Sequence, residues 1–325
     1  MTSAIRVAII GAGIISDDHA KAMEQIEGLE LVAVVDVVEK RARDLATRYA
    51  CEAFTDLEDM LRRTRPDAAI VAVPHSLHAE VTIACLRAGC HVLVEKPMAT
   101  SVDDCTRMIE SASEQERVLM VGHIHQYAPI YVAASEILSS GELGQIVGIT
   151  DVRNIHYFPD SRPAWFLDPA LAGGGITINL GAHSIDRIQL LAGSKVASVH
   201  GAIGRREPGM RVEGDAHAFL TLENGVTASM ICVGYHVPAL SRTEVYCTNG
   251  TLRCGYDGLH VARGTAPLEP VEVVPWSPFV RELEDFLAAI RGERGVAIPG
   301  EYGRAVIETI LSLYEQGAPG EGPGR

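Results

Sequence analysis

The 325-residue sequence has no run of basic residues, no C-x-x-C cysteine pair and no long apolar segment. Its formal net charge of −14 argues against a partner bound through a phosphate backbone, which needs clustered Lys and Arg. Seven cysteines without metal-ligand spacing are typical of reduced structural thiols in a cytoplasmic protein. The stretch VAIIGAGII is too short to span a bilayer and is broken by glycines, and no signal peptide is recognised. We therefore expect a cytoplasmic protein whose partners are small molecules or other proteins, with no nucleic acid and no membrane among them.

The order of strand-like and helix-like segments changes once along the chain. Apolar runs such as IRVAII, LELVAVVD, AAIVAVP and HVLVEKP alternate with amphipathic segments, which predicts an α/β domain with a parallel sheet over residues 1–123. From there on, strands follow one another through short turns, and LENGVTA is typical of a hairpin. This pattern predicts an α+β domain over 124–325 with a mainly antiparallel sheet. The Gly- and Pro-rich tail, 318–325, is predicted to be disordered.

The first predicted strand is followed by the glycine-containing segment GAGIIS. Glycines at Gly11 and Gly13 would let a pyrophosphate approach the backbone amides of the next helix, which we expect to begin near Ser16. Because Ser16 stands where the motif has a third Gly or Ala, the pattern is also compatible with a plain strand–helix turn.

An acidic residue, Asp36, ends the second predicted strand. A carboxylate there accepts hydrogen bonds from the adenosine ribose of NAD and repels the 2′-phosphate of NADP. We therefore expect NAD as the cofactor, with NADP less favoured. Arg41 is the competing signal, since a guanidinium in that region could reach a 2′-phosphate or lie in solvent.

Five segments together carry a family resemblance: GAGIISDDHA, VVD before a helix, VPHSLHAE, GCHVLVEKPMA and GGGITINLGAHSIDR. The chain resembles the Gfo/Idh/MocA family of NAD(P)-dependent oxidoreductases over nearly its whole length. The resemblance implies a Rossmann domain followed by a domain with a large open-faced sheet, and cofactor and substrate in a cleft between them. It also implies a homodimer or homotetramer joined through that sheet.

The resemblance assigns roles to the end of the fourth predicted strand. Lys96 matches a lysine beside the nicotinamide that contacts the substrate hydroxyl, Pro97 matches a proline often preceded by a cis peptide, and Glu95 matches a carboxylate on the cofactor side. A salt-bridged edge with a turn proline is the structural alternative. The complete expected cofactor set is Gly11, Gly13, Ile14, Ile15, Asp36, Arg41, Pro74, His75, His78, Glu95, Lys96 and Gln126. His75 and His78 could equally be exposed residues at a helix start.

A histidine in NLGAHSIDR is the candidate base. Removal of a hydride from an alcohol requires a group that takes the hydroxyl proton, and an imidazole suits that role near neutral pH. His183 matches the family histidine, and Asp186 follows one helical turn later. The commonest family motif has Asp four residues before the histidine, but this chain has Asn179, which cannot accept a proton. Lys96 and His183 must therefore share the acid–base work, or the redox chemistry is altered.

Further polar and aromatic residues are expected to line the substrate site. The complete expected substrate set is Lys96, Tyr127, Arg153, Asn154, Trp165, Asn179, His183 and Asp186. The segment 152–169 suits a sugar ring but could also be a surface flap. No metal site is expected, because His123 and His125 have no further ligand at zinc spacing.

These observations predict an NAD-dependent dehydrogenase or reductase. It would move a hydride between nicotinamide and a ring hydroxyl or keto group of a sugar, amino sugar or inositol-like cyclitol, with Lys96, His183 and Asn179 as the catalytic residues. One alternative is a glycoside hydrolase that keeps its NAD and acts by transient oxidation. Another is an NAD-dependent binding protein with a disabled proton relay.

Overall fold

The first part of the chain forms a parallel sheet with intervening helices in the computed structural model, which describes residues 4–317. In chain order its elements are β1 (Ile5–Ile10), α1 (Ile14–Met23), β2 (Leu29–Val35), α2 (Glu39–Arg48), β3 (Glu52–Phe54), α3 (Leu57–Thr64), β4 (Ala68–Val71), α4 (His78–Arg87), β5 (His91–Glu95), α5 (Val102–Glu114) and β6 (Leu119–Gly122). The strand order is β3-β2-β1-β4-β5-β6, and every neighbouring pair is parallel. All residues of β4 are buried, as expected for a parallel sheet with both faces covered.

The chain reverses its direction of travel across this sheet between β1 and β4, which are hydrogen-bonded neighbours. In open α/β sheets, ligands bind beyond the carboxyl ends of the strands at such a switch point. The loops that follow β1 and β4 are thereby brought side by side. This topology confirms the predicted Rossmann arrangement.

The second part of the chain is built on a larger, mainly antiparallel sheet. In chain order the remaining elements are α6 (Pro129–Ser139), β7 (Ile146–Asn154), α7 (Pro169–Ala172), α8 (Ala182–Ala192), β8 (Val196–Gly204), β9 (Asp215–Leu222), β10 (Thr227–Val233), β11 (Leu240–Cys247), β12 (Gly250–Gly255), β13 (Gly258–Arg263), β14 (Glu269–Val271), α9 (Pro278–Ile290) and α10 (Gly300–Gly317). The eight strands lie in the order β14-β13-β12-β11-β7-β10-β9-β8. Only β7 and β10 pair in parallel.

The two faces of this sheet differ. On β7 the side chains of Ile149 and Asp151 are buried, and Asp151 forms an ion pair with Arg187 of α8. The opposite face carries exposed aromatic side chains, with Phe219 49% and Tyr246 40% exposed. Since strand side chains alternate between faces, one face of the sheet is covered by helices and the other is open.

The hairpin predicted from LENGVTA joins β9 and β10, which pair antiparallel. Its turn glycine, Gly225, has a φ of 85°, and Leu222 N donates to Val226 O at 2.8 Å. A positive φ is readily adopted by glycine, so the Asn-Gly dipeptide does fix this connection.

The chain divides into two units, which we call the first and second units. The first unit comprises the residues up to Ile124 together with Ser277–Arg304, and the second comprises His125–Trp276 and the described residues after Arg304. The sequence-based division placed 277–304 in the second domain, whereas α9 packs against α1, with the Phe279 and His19 rings 5.0 Å apart. The predicted tail lies outside the described residues.

Two local predictions also differ from the structure. Helix α1 begins at Ile14, not near Ser16, because Gly13 adopts the extended N-cap conformation and Ser16 is already inside the helix. The short edge strands β3 and β14 have no strong sequence signal, having only three residues each. No helix within residues 4–317 is long and apolar enough to cross a membrane.

Candidate cofactor- and substrate-binding sites

The glycine loop of the first unit lies between β1 and α1. Gly11 has a φ of 99°, and a Cβ there would lie 2.2 Å from the carbonyl oxygen of Ala72, just after β4. A Cβ at Gly13 would meet none of the described atoms within 4 Å. Gly11 is therefore required by the packing of the loop, and Gly13 keeps the start of α1 open. Ile14 is 87% exposed, and Ile15 is half-buried.

The N-terminus of α1 suits an anion. Gly13 is the N-cap residue and no side chain caps the helix. The first amides of a helix have no partner within it and carry the positive end of the helix dipole. A pyrophosphate requires free amides at a helix start and open space beside them, and the uncapped start of α1 at Gly13 provides both.

Asp36 follows β2 and is bonded to the glycine loop. Its Oδ2 accepts from Ala12 N at 2.9 Å, and its Oδ1 accepts from Val38 N at 2.8 Å. Each carboxylate oxygen can accept two hydrogen bonds, so both oxygens can still accept from a ribose diol. Arg41 is exposed on the first turn of α2. These residues fit a dinucleotide, with Gly11, Gly13 and Asp36 as the residues that would hold it.

Two histidines follow β4, and both are buried. His75 is 5% and His78 is 1% exposed, so the alternative of exposed helix-start residues is wrong. The ring nitrogens of His78 lie 2.9 Å from the carbonyl oxygens of Pro97 and Val73. Burial lowers the pKa of His78, against the two carbonyl contacts, which raise it. His78 thus ties the loop after β4, which includes the half-buried Pro74, to the segment after β5.

The Glu-Lys-Pro segment ends β5. Glu95 is 8% exposed; its Oε1 lies 2.8 Å from His19 Nε2 on α1, and its Oε2 accepts from Lys96 N at 3.2 Å. Burial alone raises the pKa of Glu95, but the hydrogen bond to His19 and the charges of His19 and Lys96 lower it below its ordinary value. Lys96 is half-buried, and the Lys96–Pro97 peptide is cis, as the resemblance implied. The segment is therefore held from two sides, through His19 and His78.

In the second unit, His183 lies in the first turn of α8. Its ring stacks on that of His125, with centroids 4.3 Å apart and planes 26° apart. Asp186, one turn later, is fully buried and its Oδ1 accepts from Gln126 Nε2 at 2.7 Å. The structure thus brings His183 and Asp186 together with the segment of Gln126. Gln126 was predicted as a cofactor residue, whereas its amide is bonded here to the predicted substrate residue Asp186.

Asn179 lies in a π-helical turn, Thr177–Gly181, directly before α8. Such turns occur frequently at functional sites. Asn179 is 7% exposed, and its Nδ2 donates to the hydroxyl of Tyr157 at 3.3 Å. The Tyr157 hydroxyl donates to Gly175 O at 3.2 Å, and burial raises the pKa of Tyr157 to about 12. The phenol is therefore neutral at physiological pH.

The glycines before this turn are explained by the protein's own packing. A Cβ at Gly174 would lie 2.0 Å from the Tyr314 hydroxyl, and a Cβ at Gly175 would lie 2.2 Å from Glu213 O. Protein atoms, rather than a ligand, therefore account for the glycines at these two positions.

Glu213 was not predicted from the sequence. It is 2% exposed, and its carboxylate accepts from Gly175 N and Thr177 N at 2.9 and 3.0 Å and from the Tyr314 hydroxyl at 2.7 Å. It anchors the turn that carries Asn179. No motif surrounds Glu213 in the sequence, so only the fold reveals its partners.

Arg153 and Asn154, at the end of β7, are adjacent in sequence but lie on opposite faces. Arg153 shares the helix-covered face with Asp151, and Asn154 shares the open face with Val152. Both residues were predicted to bind the substrate, but the alternation of side chains along the strand places them on different faces.

The remaining predicted substrate residues lie in two short 3-10 helices, Ile124–Tyr127 and Ala164–Leu167. Trp165 stacks on Phe166, with centroids 3.7 Å apart, and the guanidinium of Arg162 lies 4.9 Å from the Phe166 ring. Tyr127 is 9% exposed, and its carbonyl oxygen accepts from Trp276 Nε1 at 2.8 Å. Trp165 is half-buried, and the ring on which it stacks lies beside the Arg162 guanidinium.

Both parts of the chain match known families. Residues 5–123 match the oxidoreductase family with an NAD-binding Rossmann fold, GFO_IDH_MocA, and residues 131–253 match the GFO/IDH/MocA C-terminal domain.

Two curated relatives are similar in sequence. A 1-carboxy-3-chloro-3,4-dihydroxycyclohexa-1,5-diene dehydrogenase of Comamonas testosteroni is 33% identical over 208 residues, 64% of this chain and 52% of that protein. The chain thus spans about half the length of that relative. A 4-carboxy-2-hydroxymuconate-6-semialdehyde dehydrogenase of Sphingobium is 30% identical over 323 residues, 96% of this chain and 100% of that protein.

Among solved structures, the chain is similar to a UDP-N-acetylglucosamine 3-dehydrogenase from Acidithiobacillus ferrooxidans. The TM-score is 0.82 at 25% identity, over 97% of this chain and 98% of the other. The two family matches and the full-length Sphingobium relative lead to one conclusion. The chain belongs to the Gfo/Idh/MocA oxidoreductase family.

Proposed function

We propose that the chain is an NAD-dependent dehydrogenase or reductase that moves a hydride between nicotinamide and a ring hydroxyl or keto group of a sugar, amino sugar or cyclitol. The observation that carries this proposal is the end of the first sheet. There, the uncapped helix start with Gly13, the carboxylate of Asp36 and the fixed segment around Lys96 follow strands of one parallel sheet. Names of two relatives support a hydroxylated ring as substrate: a dihydroxycyclohexadiene and a UDP-linked amino sugar.

Acid–base catalysis is assigned to two residues. Oxidation of an alcohol removes a hydride from carbon and a proton from oxygen, and bound NAD would supply the hydride acceptor. We assign the proton transfer to Lys96 and His183. Stacking on His125 fixes the ring of His183. Asn179 donates to Tyr157 and would orient the substrate without taking a proton.

NAD is favoured over NADP because of Asp36. Its carboxylate already accepts two backbone hydrogen bonds, which fix its position beside the glycine loop. A 2′-phosphate would meet this fixed negative charge, and the exposed Arg41 would have to move over the ribose to offset it.

The proposed division of labour follows the two units. The first binds the cofactor, and the second binds the substrate and forms the contact between copies. Exposed Phe219 and Tyr246 on the open sheet face support a homodimer or homotetramer. Light scattering at micromolar concentration should give a multiple of 34.9 kDa, and a mass near 34.9 kDa would reject this assembly. The seven free thiols support a reducing compartment such as the cytoplasm.

A panel of inositols, aldoses and amino sugars, followed by the absorbance of NADH, tests the reaction. We expect NAD-dependent oxidation of at least one ring alcohol, and faster turnover with NAD than with NADP. A failure of every ring substrate, with NAD binding demonstrated by calorimetry, would contradict the proposal. The relatives described above are named dehydrogenases, which gives the hydrolase and binding-protein alternatives no support.

A further inference from the structure

The side chain of Arg153 points to the helix-covered face of the second sheet. It alternates with Asp151 along β7, and the pairing of the strands places Cys232 of β10 and Ser241 of β11 beside it. Neither neighbour is anionic, because burial raises the pKa of the Cys232 thiol to about 11. The strands next to Arg153 therefore present no negative charge in register with it.

A second arginine on this face already occupies the nearby carboxylate. Arg187 of α8 is fully buried, and its Nη2 donates to Asp151 Oδ1 at 2.8 Å. The other oxygen of Asp151 accepts from Thr243 Oγ1 at 2.6 Å. Arg187 Nη1 donates to the hydroxyls of Tyr131 and Ser241 at 2.7 and 3.0 Å. Asp151 is thus committed to Arg187 and Thr243.

Arg153 is left with an unsatisfied donor. Its Nη1 is buried and has no hydrogen-bond acceptor among the described residues. Burial first, and then the charge of Arg187, lower the pKa of Arg153 from its ordinary value. Two guanidinium groups therefore lie near one carboxylate, which is bonded to Arg187 and Thr243. Two positive charges beside one negative charge in a buried region are costly unless another anion is bound.

The other buried carboxylate nearby in sequence does not supply that anion. Asp186 precedes Arg187 on α8 and accepts from Gln126. Successive helix residues lie about 100° apart around the axis, so Asp186 and Arg187 point in different directions. Arg187 donates to Asp151 and Ser241 of the sheet, to Tyr131, and to Ser184 of its own helix.

The position of Arg153 relates it to the proposed base. Ser184 of α8 lies over Cys232, with Oγ and Sγ 3.8 Å apart, and Cys232 is the register partner of Arg153. Ser184 follows His183 directly, whereas Arg187, one turn later, lies over Asp151. Arg153 therefore lies at the level of the first turn of α8, near His183.

We infer that Arg153 binds a carboxylate of the substrate, so that the substrate is a ring alcohol bearing an acid group. This inference rests on the proposed function. A carboxylate has the shape and the charge to accept hydrogen bonds from one edge of the Arg153 guanidinium. It would also supply the negative charge that this side chain lacks. Arg153 would fix the acid group and hold the reacting hydroxyl near His183. It is a specificity-determining residue, and it takes no part in the proton transfer.

Matched pairs of an acid and its neutral analogue test this inference. The probes are D-glucuronate with D-glucose, D-galacturonate with D-galactose, and the cis-diol of benzoate with that of benzene. Turnover is measured with NAD, and the dissociation constant of each compound is measured by calorimetry on the NADH-loaded protein. The variants are Arg153→Gln and a control, Arg242→Gln. Arg242 lies on β11 opposite Val152, on the other face of the sheet, with 47% of its side chain exposed.

We expect at least one acid to bind or react about 10- to 100-fold better than its neutral analogue. Arg153→Gln should remove that preference and change the constants of the neutral compound less than about threefold, while Arg242→Gln should keep the preference. Equal constants for acid and neutral compounds, no binding of any acid, or a preference that survives Arg153→Gln would overturn the inference. Binding of an acid without turnover would contradict the proposed function and leave the carboxylate assignment supported.

Discussion

The candidate sites of the two units are built from different kinds of groups. In the first unit the main features follow neighbouring strands of one sheet, β2, β1, β4 and β5. Backbone groups form much of this site: the start of α1, the amide of Ala12 bonded to Asp36, and the Pro97 carbonyl near His78. In the second unit the site is formed by side chains that are far apart in sequence, such as Gln126 with Asp186 and Arg187 with Asp151. A site made of backbone groups requires particular residues close together in the sequence, so it can be recognised as a motif. A network of side chains that are far apart in sequence gives no such motif.

The largest expected effect lies in the first unit, at Lys96. Lys96→Met should lower kcat by about 10²- to 10⁴-fold, because an acid–base group in the transition state contributes that much. NAD affinity should change little, since we propose that Asp36 and the glycine loop hold the adenosine end. Steady-state kinetics and calorimetry measure both quantities.

The control for this variant is Lys195→Met, since Lys195 is exposed in the second unit. It should leave kcat within about twofold of the parent. If Lys96→Met retained most of the parent kcat, the role assigned to the end of β5 would be wrong.

The next largest effect concerns the stability of the second unit. Asp151→Asn leaves Arg187 buried without its counter-charge, and both side chains of the pair are fully buried. Breaking one partner of a buried ion pair costs about 3–5 kcal/mol in the free energy of unfolding. Urea unfolding of the full chain measures it.

A surface pair of the first unit provides the comparison. Glu52 and Arg63 are 3.3 Å apart, with more than half of each side chain exposed, and Glu52→Gln should cost less than about 1 kcal/mol. Equal losses for Asp151→Asn and Glu52→Gln would show that the Arg187 network does not stabilise the second sheet.

Cofactor choice gives a smaller effect. Asp36→Ala removes the proposed ribose acceptor and a charge that would repel a 2′-phosphate. This should shift the preference between NAD and NADP by about 2–4 kcal/mol, or roughly 30- to 1,000-fold. NAD affinity should fall and NADP affinity should rise. Asp44→Ala, on the exposed side of α2, should change neither. A parent protein that binds NADP as tightly as NAD would show that Asp36 does not contact the ribose.

The smallest effect is a pH-dependent one at Glu95. Because its pKa is lowered in the folded protein, the ionised carboxylate stabilises the fold above its ordinary pKa of 4.5, and this stabilisation is lost as pH falls through the lowered value. Glu95→Gln should therefore cost about 1–3 kcal/mol near pH 7, and less below pH 4.5.

Unfolding midpoints over a pH series measure this difference. The control, Glu80→Gln, changes an exposed residue of α4 and should have little effect at any pH. A loss for Glu95→Gln that does not change with pH would mean that the charge of Glu95 is not what stabilises the contact with His19.

The sequence predicted the first unit better than the second for a physical reason. Continuous apolar runs and the segments at Gly11, Asp36 and Lys96 follow from local rules, and the structure has them at the ends of β1, β2 and β5. The sequence missed the return of 277–304 to the first unit, because that placement depends on the packing of α9 against α1.

In the second unit the strands were predictable from their turns and alternation, but the contacts between their side chains were not. Arg153 was predicted as a substrate residue, but its unsatisfied donor could not be predicted. That donor lacks an acceptor because Asp151 is paired with Arg187, and the spacing of these residues in the sequence does not indicate which arginine Asp151 pairs with. Glu213 was missed for the same reason, since its partners lie 36 to 101 residues away.

The proposed reaction is defined by the transfer of a hydride from a ring carbon of the substrate to nicotinamide. The most direct test uses a ring alcohol deuterated at the reacting carbon and follows the deuterium by mass spectrometry of the cofactor and the product. Hydride transfer to nicotinamide predicts one deuterium in the NADH formed and none at that carbon in the keto product. Conversion of the substrate with no deuterium in the nicotinamide and no net NADH would contradict it.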